Sequence, residues 1–291
     1  MTGQQRLFGW LALFGSAICF YLATLIINWG QPYVRLDAAY YVQARFLLGF
    51  IFVLCTLIFE KKIPRSHDAH ALIGRAITNT AAVLFFYKAV EVSTVASANI
   101  LNMTYPLFVA ILSWFFLRTQ RDIPSIFIVA ISTFGIWLIL RPGLVISGRN
   151  DTWGLLSGIS AGFSMIYLAK CRQRHDSSTI LFYVFGLGML FMAPFLWRSL
   201  FLPNATEIFF LVVCSIAGVV GQYLLTYGFL YVSAVEGSVI SSSRILIAAF
   251  LGPFLASDPS LTLSGWVGAL LIFAANIALA VHKPRPLLDN K

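Results

Sequence analysis

A chain of 291 residues that is 59% hydrophobic and only 11% charged, with a mean hydropathy of +0.85, carries less than half the ~25% charged fraction of a soluble globular domain. That excludes an ordinary soluble protein. The formal net charge of +9 does not mark a nucleic-acid surface either, because apolar segments leave no chain for an extramembrane binding domain.

Ten segments approach the roughly 20 mainly apolar residues needed to cross a hydrocarbon core about 30 Å thick. They are residues 8–27, 38–58, 71–90, 96–117, 124–140, 152–169, 178–197, 207–230, 235–256 and 263–281. In lipid a spanning backbone must satisfy itself, so each is expected to be a helix.

Span one reads as a retained helix rather than a signal peptide, since no small-x-small cleavage site precedes Asn28. Its Ser16, Cys19, Phe20 and Ala23 share one stripe. Span two holds Arg45 and leads to the basic loop 59–70 with Lys61, Lys62 and Arg65. Span three carries Arg75, Asn79, Thr80, Phe86, Tyr87 and Lys88; its two cations lie within snorkelling reach of an interface, which predicts a structural role.

Span four places Asn99, Asn102 and Pro106 on one face, and carboxamides are poor neighbours for lipid, so that face should look inward. Span five is apolar with Pro124 in its first turn, and residues 141–151 form the clear mid-chain break. Span six has a ladder of Gly154, Gly158 and Gly162 that permits close helix approach, and a second stripe of Ser157, Ser160, Ser164 and Tyr167. Span seven is aromatic, with Pro194 near its end. Span eight brings Gln222, Tyr223, Thr226 and Tyr227; span nine Gly237, Ser241, Arg244 and Ala248; span ten only Asn276.

The stretch 85–113 returns as 225–253: with Tyr87 laid on Tyr227, Val92 meets Val232, Ser93 meets Ser233, Val95 meets Val235 and Ile100 meets Ile240. Such self-similarity reads as duplication. Five spans per half force the second half into the membrane in the opposite sense. The expected fold is an all-α membrane protein of ten transmembrane helices, built as two inverted five-helix repeats over 1–145 and 151–285. Twelve Lys and Arg residues fall on the side of both termini and four on the other, so the positive-inside rule places the termini in the cytoplasm.

All eleven acidic residues fall in joints, loops or span ends, whereas Arg45, Arg75, Lys88 and Arg244 lie inside spans. An arginine at a helix centre costs about 2.5–3.5 kcal/mol on insertion scales. It must face protein or water, either bonding carbonyls to hold helices together or meeting an anionic group such as a carboxylate or phosphate. The candidate substrate-binding set is Arg244, Ser241, Asn102, Asn99, Gln222, Tyr223, Tyr227, Ser164, Tyr87 and Arg45. With no intramembrane Asp or Glu to relay protons, exchange or facilitated movement is the simpler expectation.

Cys19, Cys55, Cys171 and Cys214 are scattered over different spans, so no metal or cofactor is expected. His67, His70, His175 and His282 lie outside the spans with no catalytic grouping at membrane depth, which argues against an enzyme.

Several short motifs together carry a family resemblance: Ala44-Arg45-Phe46, Tyr87-Lys88-Ala89, Ser93-Thr94-Val95-Ala96-Ser97-Ala98, Tyr105-Pro106-Leu107-Phe108, Phe134-Gly135-Ile136-Trp137 and Gly265-Trp266-Val267-Gly268-Ala269. Over its whole length the chain resembles EamA-type members of the drug/metabolite transporter superfamily. That resemblance implies a carrier with alternating access and a cavity lined mainly by spans one, three, four, six, eight and nine. It also implies a bacterial inner membrane, and a small polar metabolite, zwitterionic or anionic, of amino-acid or nucleoside type.

Narrower alternatives are an S-adenosylmethionine-type uptake or exchange carrier and an amino-acid or drug exporter. A non-transporting scaffold or channel is the alternative of another class. Family members often end spans four and nine with Gly-Glu; here those places read Leu117-Arg118-Thr119 and Ala256-Ser257-Asp258, and Leu246 replaces the second-half match of Pro106. A mechanism resting on those glutamates therefore does not transfer. Expected partners are the substrate and the lipid bilayer, with a homodimer left open and no nucleic acid.

Overall fold

A computed structural model describes residues 3–116, 123–140, 152–172, 174–196, 201–231 and 234–282. The mid-chain break at 141–151, the Leu117-Arg118-Thr119 departure, the joint residues Val232 and Ser233 and the tail from 283 lie outside the described residues.

Among the described residues every regular element is helical: α1 (Gly3–Gly30), α2 (Ala38–Glu60), α3 (Ala69–Val92), α4 (Val95–Asn102), α5 (Tyr105–Phe116), α6 (Ile123–Leu140), α7 (Thr152–Cys171), α8 (Ser177–Leu196), α9 (Ala205–Tyr231), α10 (Ala234–Leu255) and α11 (Leu263–His282). By length and composition α1, α2, α3, α8 and α9 are long and apolar enough to cross a membrane. Shorter apolar stretches run through α7, α10 and α11.

Side chains are distributed as a lipid solvent demands. Large apolar residues such as Phe14, Ile51, Phe59, Phe127, Phe209, Phe250 and Leu270 face outward, while Ser16, Thr24, Arg45, Arg75, Asn79, Asn102, Ser157, Gln222 and Arg244 are buried. Water rewards the opposite arrangement.

Helix starts follow local chemistry. Asp37 accepts from Tyr40 N at the head of α2 and Asp68 from Ala71 N at the head of α3, each at 3.1 Å; such caps satisfy donors that no turn of the helix reaches. Lys61 closes α2 in the left-handed region at φ 52°, ψ 36°.

Span four, expected as one helix over 96–117, is instead α4 and α5 separated by a turn at Met103–Thr104. Pro106 supplies the cause, since its ring has no N–H and crowds the carbonyl four residues back. The loosened carbonyls find other donors: Asn276 Nδ2 reaches Met103 O at 3.1 Å, and the Thr104 hydroxyl bonds Leu101 O at 2.6 Å. Gly158 of α7 packs on this break. A Cβ there would stand 2.6 Å from Thr104 Oγ1 and 2.8 Å from Leu101 O, which is why that rung of the glycine ladder admits no side chain.

The heaviest packing joins helices from the two sides of the chain: α1 with α9, α3 with α7, α6 with α11, and α2 with both α8 and α9. Helix α10 crosses α1 and α4. The head of α4 is stitched to the end of α10 as well. Asp258, in the α10–α11 loop, accepts from Val95 N at 3.3 Å and Ala96 N at 2.8 Å. Thr94 caps the same helix through Ser97 N at 3.0 Å, so three donors at the start of α4 are satisfied.

Burial pushes the Asp258 carboxyl above its usual range, against the pull of the two backbone N–H groups. A neutral acceptor of the same shape should therefore serve better than none. Asp258→Asn is expected to retain most of the thermal stability of the purified protein, and Asp258→Ala to lose about 1–2 kcal/mol. Gly158→Leu should cost more than Gly158→Ala, each lowering the unfolding temperature followed by intrinsic fluorescence.

Candidate functional site

A cavity of about 90 Å³ lies where α1, α2, α3, α4, α5, α7, α9 and α10 converge, several times the ~10–15 Å³ that one water needs. Its polar lining includes Ser16, Arg45, Arg75, Asn79, Asn102, Ser164, Gln222, Ser241 and Arg244. The cavity thus gathers six of the ten residues singled out from the sequence: Arg45, Asn102, Ser164, Gln222, Ser241 and Arg244.

Arg244 projects from the middle of α10 and is 3% exposed. Its Nη2 donates to Asn102 Oδ1, and its guanidinium lies 5.0 Å from the Phe86 ring centre and 5.6 Å from that of Phe20. Asn102 in turn donates to Ser157 Oγ at 2.6 Å, and Ser157 to Ala82 O at 2.9 Å. Arg244, Asn102, Ser157 and Ala82 therefore form one relay that runs through α10, α4, α7 and α3. The asparagine is placed for this because it ends α4 at the Pro106 break, where the chain turns toward α7.

Arg45 enters from α2. It donates from Nη1 to Tyr87 Oη at 3.2 Å and from Nη2 to Gln222 Oε1 at 3.4 Å, and lies 5.2 Å from the Phe20 ring centre. Gly218 of α9 makes this possible, since a Cβ there would meet Arg45 Cδ at 2.8 Å and Nε at 2.9 Å.

Arg75 differs from its expected interfacial, snorkelling role. It is 2% exposed, donates from Nη1 to the Ser164 carbonyl at 2.9 Å and to the Ser164 hydroxyl, and forms part of the cavity wall. The periodicity of α3 puts Arg75, Asn79, Ala82, Val83 and Phe86 on one face, and α7 packing over that face leaves the guanidinium no route outward. Lys88, by contrast, meets Glu91 at 2.8 Å.

Four sequence candidates stand elsewhere. Asn99 donates to Thr24 Oγ1 at 3.1 Å and Val95 O at 2.8 Å and is wholly buried between α4 and α1. Tyr87, also wholly buried, stands behind Arg45 and near Cys214 Sγ at 3.9 Å. Tyr223 and Tyr227 stack on each other at 6.2 Å and 14°, and Tyr223 on Phe185 at 6.4 Å, forming an aromatic ladder toward α8. Two cavity residues outside the candidate set, Arg75 and Asn79, had a signal in the sequence: they stand one turn apart, on the face that also carries Phe86.

Polar capacity remains unused. Among the described residues, Nε of Arg45, Arg75 and Arg244, Nδ2 of Asn79 and the Ser241 hydroxyl have no protein partner. Among the described residues no Asp or Glu lines the cavity, and none of them forms a cluster of His, Cys, Asp or Glu able to hold a metal.

A family model described as the EamA-like transporter family matches residues 7–141 and again 149–281. An uncharacterized transporter of Helicobacter pylori is 25% identical over 285 residues, covering 92% of this chain and 95% of the relative. The pseudopaline exporter CntI of Pseudomonas aeruginosa is 26% identical over 216 residues, covering 73% and 75%. Human solute carrier family 35 member G1 is 22% identical over 290 residues, covering 92% and 77%. One solved crystal structure superposes with a TM-score of 0.63 over 98% of this chain and 99% of its own, at 13% identity; that likeness is one of fold.

The relay predicts a specific order of damage. Asn102→Leu strips neutral partners from both Arg244 and Ser157 and is expected to destabilise by about 1–3 kcal/mol. Ser157→Ala should cost less, because Asn102 keeps its contact with Arg244. Thermal unfolding of the two purified variants gives the comparison.

Proposed function

The chain belongs to the EamA-like transporter family, and from that premise we propose that it is a secondary carrier working by alternating access. In this reading ten spans, with α4 and α5 forming one, make two inverted five-helix repeats over 1–145 and 151–285. They carry a small polar metabolite, anionic or zwitterionic, by exchange or facilitated transport. The membrane is a bacterial inner membrane with both termini in the cytoplasm.

The observation that carries the reading is a cavity walled by helices from both halves, with bonds between halves at the end where α1 finishes and α4 begins. At that end Trp29 Nε1 donates to Leu255 O at 2.6 Å, and Asp258 holds Val95 N and Ala96 N. At the opposite end His67 N donates to His175 Nε2 at 3.0 Å and Ser178 Oγ to Glu60 Oε2 at 3.3 Å, so bonds between halves lie there too. Arg75 and Ser164 lie toward this second end. A polar cavity between two halves, with directed bonds across them beyond each end, suits the central site of a carrier.

The inverted arrangement is supported by the pairing of helices. Replacing every span by the one five later turns the α1–α9 contact into α7–α3 and the α2–α9 contact into α8–α3, and all four contacts are present. Within this reading, Arg244, Arg45, Asn102, Ser164, Gln222 and Ser241 contact substrate, while Asn99, Tyr87, Tyr223 and Tyr227 position the helices that bear them.

Reconstituted into proteoliposomes, the protein is expected to show saturable counterflow of a labelled substrate, which a channel or scaffold does not. Arg244→Gln should reduce that exchange at least tenfold at equal protein level. Unchanged exchange of every anionic compound by this variant would remove Arg244 from the substrate site.

A further inference from the structure

We infer that the cavity is a two-pole anion site, selective for compounds with two separated acidic groups over zwitterions and cations. The inference rests on the transport reading above and narrows its substrate class.

Arg45, Arg75 and Arg244 are each at most 3% exposed, and all line the same cavity. Their hydrogen-bond partners are neutral: a phenol and a carboxamide for Arg45, a carbonyl and a hydroxyl for Arg75, a carboxamide for Arg244. A guanidinium has five donors, so each retains capacity after these contacts, and each Nε is unpartnered. Guanidinium forks match carboxylate and phosphate oxygens in pairs, the strongest use of that capacity.

The charges fall into two poles. Arg45 and Arg244 flank one ring, at 5.2 Å and 5.6 Å from the centre of Phe20. Arg75 is tethered to Ser164 on α7. Arg244 is tethered through Asn102 to Ser157, seven positions before Ser164 on the same helix, a rise of about 10 Å at ~1.5 Å per residue. Within that interval stands Asn79, whose free amide is available to a polar linker. One acidic group satisfies one pole and leaves the other uncompensated; two satisfy both.

A zwitterion or amine meets a different obstacle. Among the described residues no carboxylate lines the cavity to receive an ammonium. The aromatic faces that would otherwise attract a cation already hold guanidiniums, Phe20 those of Arg45 and Arg244 and Phe86 that of Arg244. An added positive charge would therefore meet three guanidiniums and, among the described residues, only neutral polar groups to offset them.

The test uses purified full-length protein at constant ionic strength, with thermal unfolding as readout, because a ligand that binds only the folded form raises its apparent stability. The probes are succinate and 3-phosphoglycerate as two-acid compounds, acetate as a one-acid control, leucine as zwitterion and putrescine as cation. At least one two-acid compound is expected to raise the unfolding temperature at a concentration where the other three do not. Arg75→Gln and Arg244→Gln should each weaken its apparent affinity at least tenfold. Should a glutamine variant fail to fold, Arg75→Lys replaces it, with a lowered ratio of two-acid to acetate affinity expected.

Stabilisation by leucine or putrescine but by neither two-acid compound overturns the inference, as does equal stabilisation by acetate, or no shift with any probe. Counterflow separates this from the parent reading. Exchange of leucine without succinate or 3-phosphoglycerate sinks the two-pole site and leaves the carrier intact; two-acid binding with no counterflow of any probe does the reverse.

Discussion

Three guanidiniums enclosed in an apolar bundle, with no carboxylate among the described residues of the cavity they share, set the terms for the rest of the fold. Each charge would cost about 2.5–3.5 kcal/mol at the centre of an isolated span, so every helix bearing one must present it to protein. The neutral dipoles that meet them come from distant segments: Asn102 for Arg244, Ser164 for Arg75, and Tyr87 with Gln222 for Arg45. Neutral partners hold the side chains in place without cancelling their charge. A cavity built in this way stays electropositive and receptive.

The same constraint explains why span four is broken. A continuous helix would keep the carbonyls of 101–103 within its own ladder and would carry Asn102 past without a turn. Pro106, with no N–H for Asn102 O, ends the first piece there, and the Thr104 hydroxyl and Asn276 bond the carbonyls on either side, Leu101 O and Met103 O. Gly158 allows α7 to lie directly on the break, and Ser157 beside it completes the relay from Arg244 to Ala82. One proline, one glycine and three polar side chains thus couple α10, α4, α7 and α3 in a single network. Motion of one half against the other would have to carry or sever that network, which places it between substrate site and conformational change in the proposed cycle.

Asp258 shows how a departure from a family pattern acquires a use. It stands where relatives of this type often have Gly-Glu, and it satisfies two backbone donors at the head of α4 from the far half of the chain. With Trp29 on Leu255 O, it makes one end of the bundle a seam between halves. These bonds reach main-chain atoms, and the buried apolar cluster that includes Leu25, Val90, Val95 and Ala256 joins the halves beside them.

Much of this was legible in the order of residues. Apolar runs with polar residues at helical spacing specify helices in lipid, because no other backbone form satisfies itself there, and the isolated arginines and Asn102 announced a polar interior. The offset between 85–113 and 225–253 gave the duplicated organisation now proposed. What the sequence could not supply is which stripe of each helix meets which neighbour. Asn99 and Asn102 share a face, yet α1 takes one and the cavity the other; Arg75 stands near the head of its helix, yet α7 closes over it. Burial and exposure of a polar side chain near a helix end depend on what packs across it, a relation between segments far apart in the chain, and only the tertiary structure decides it.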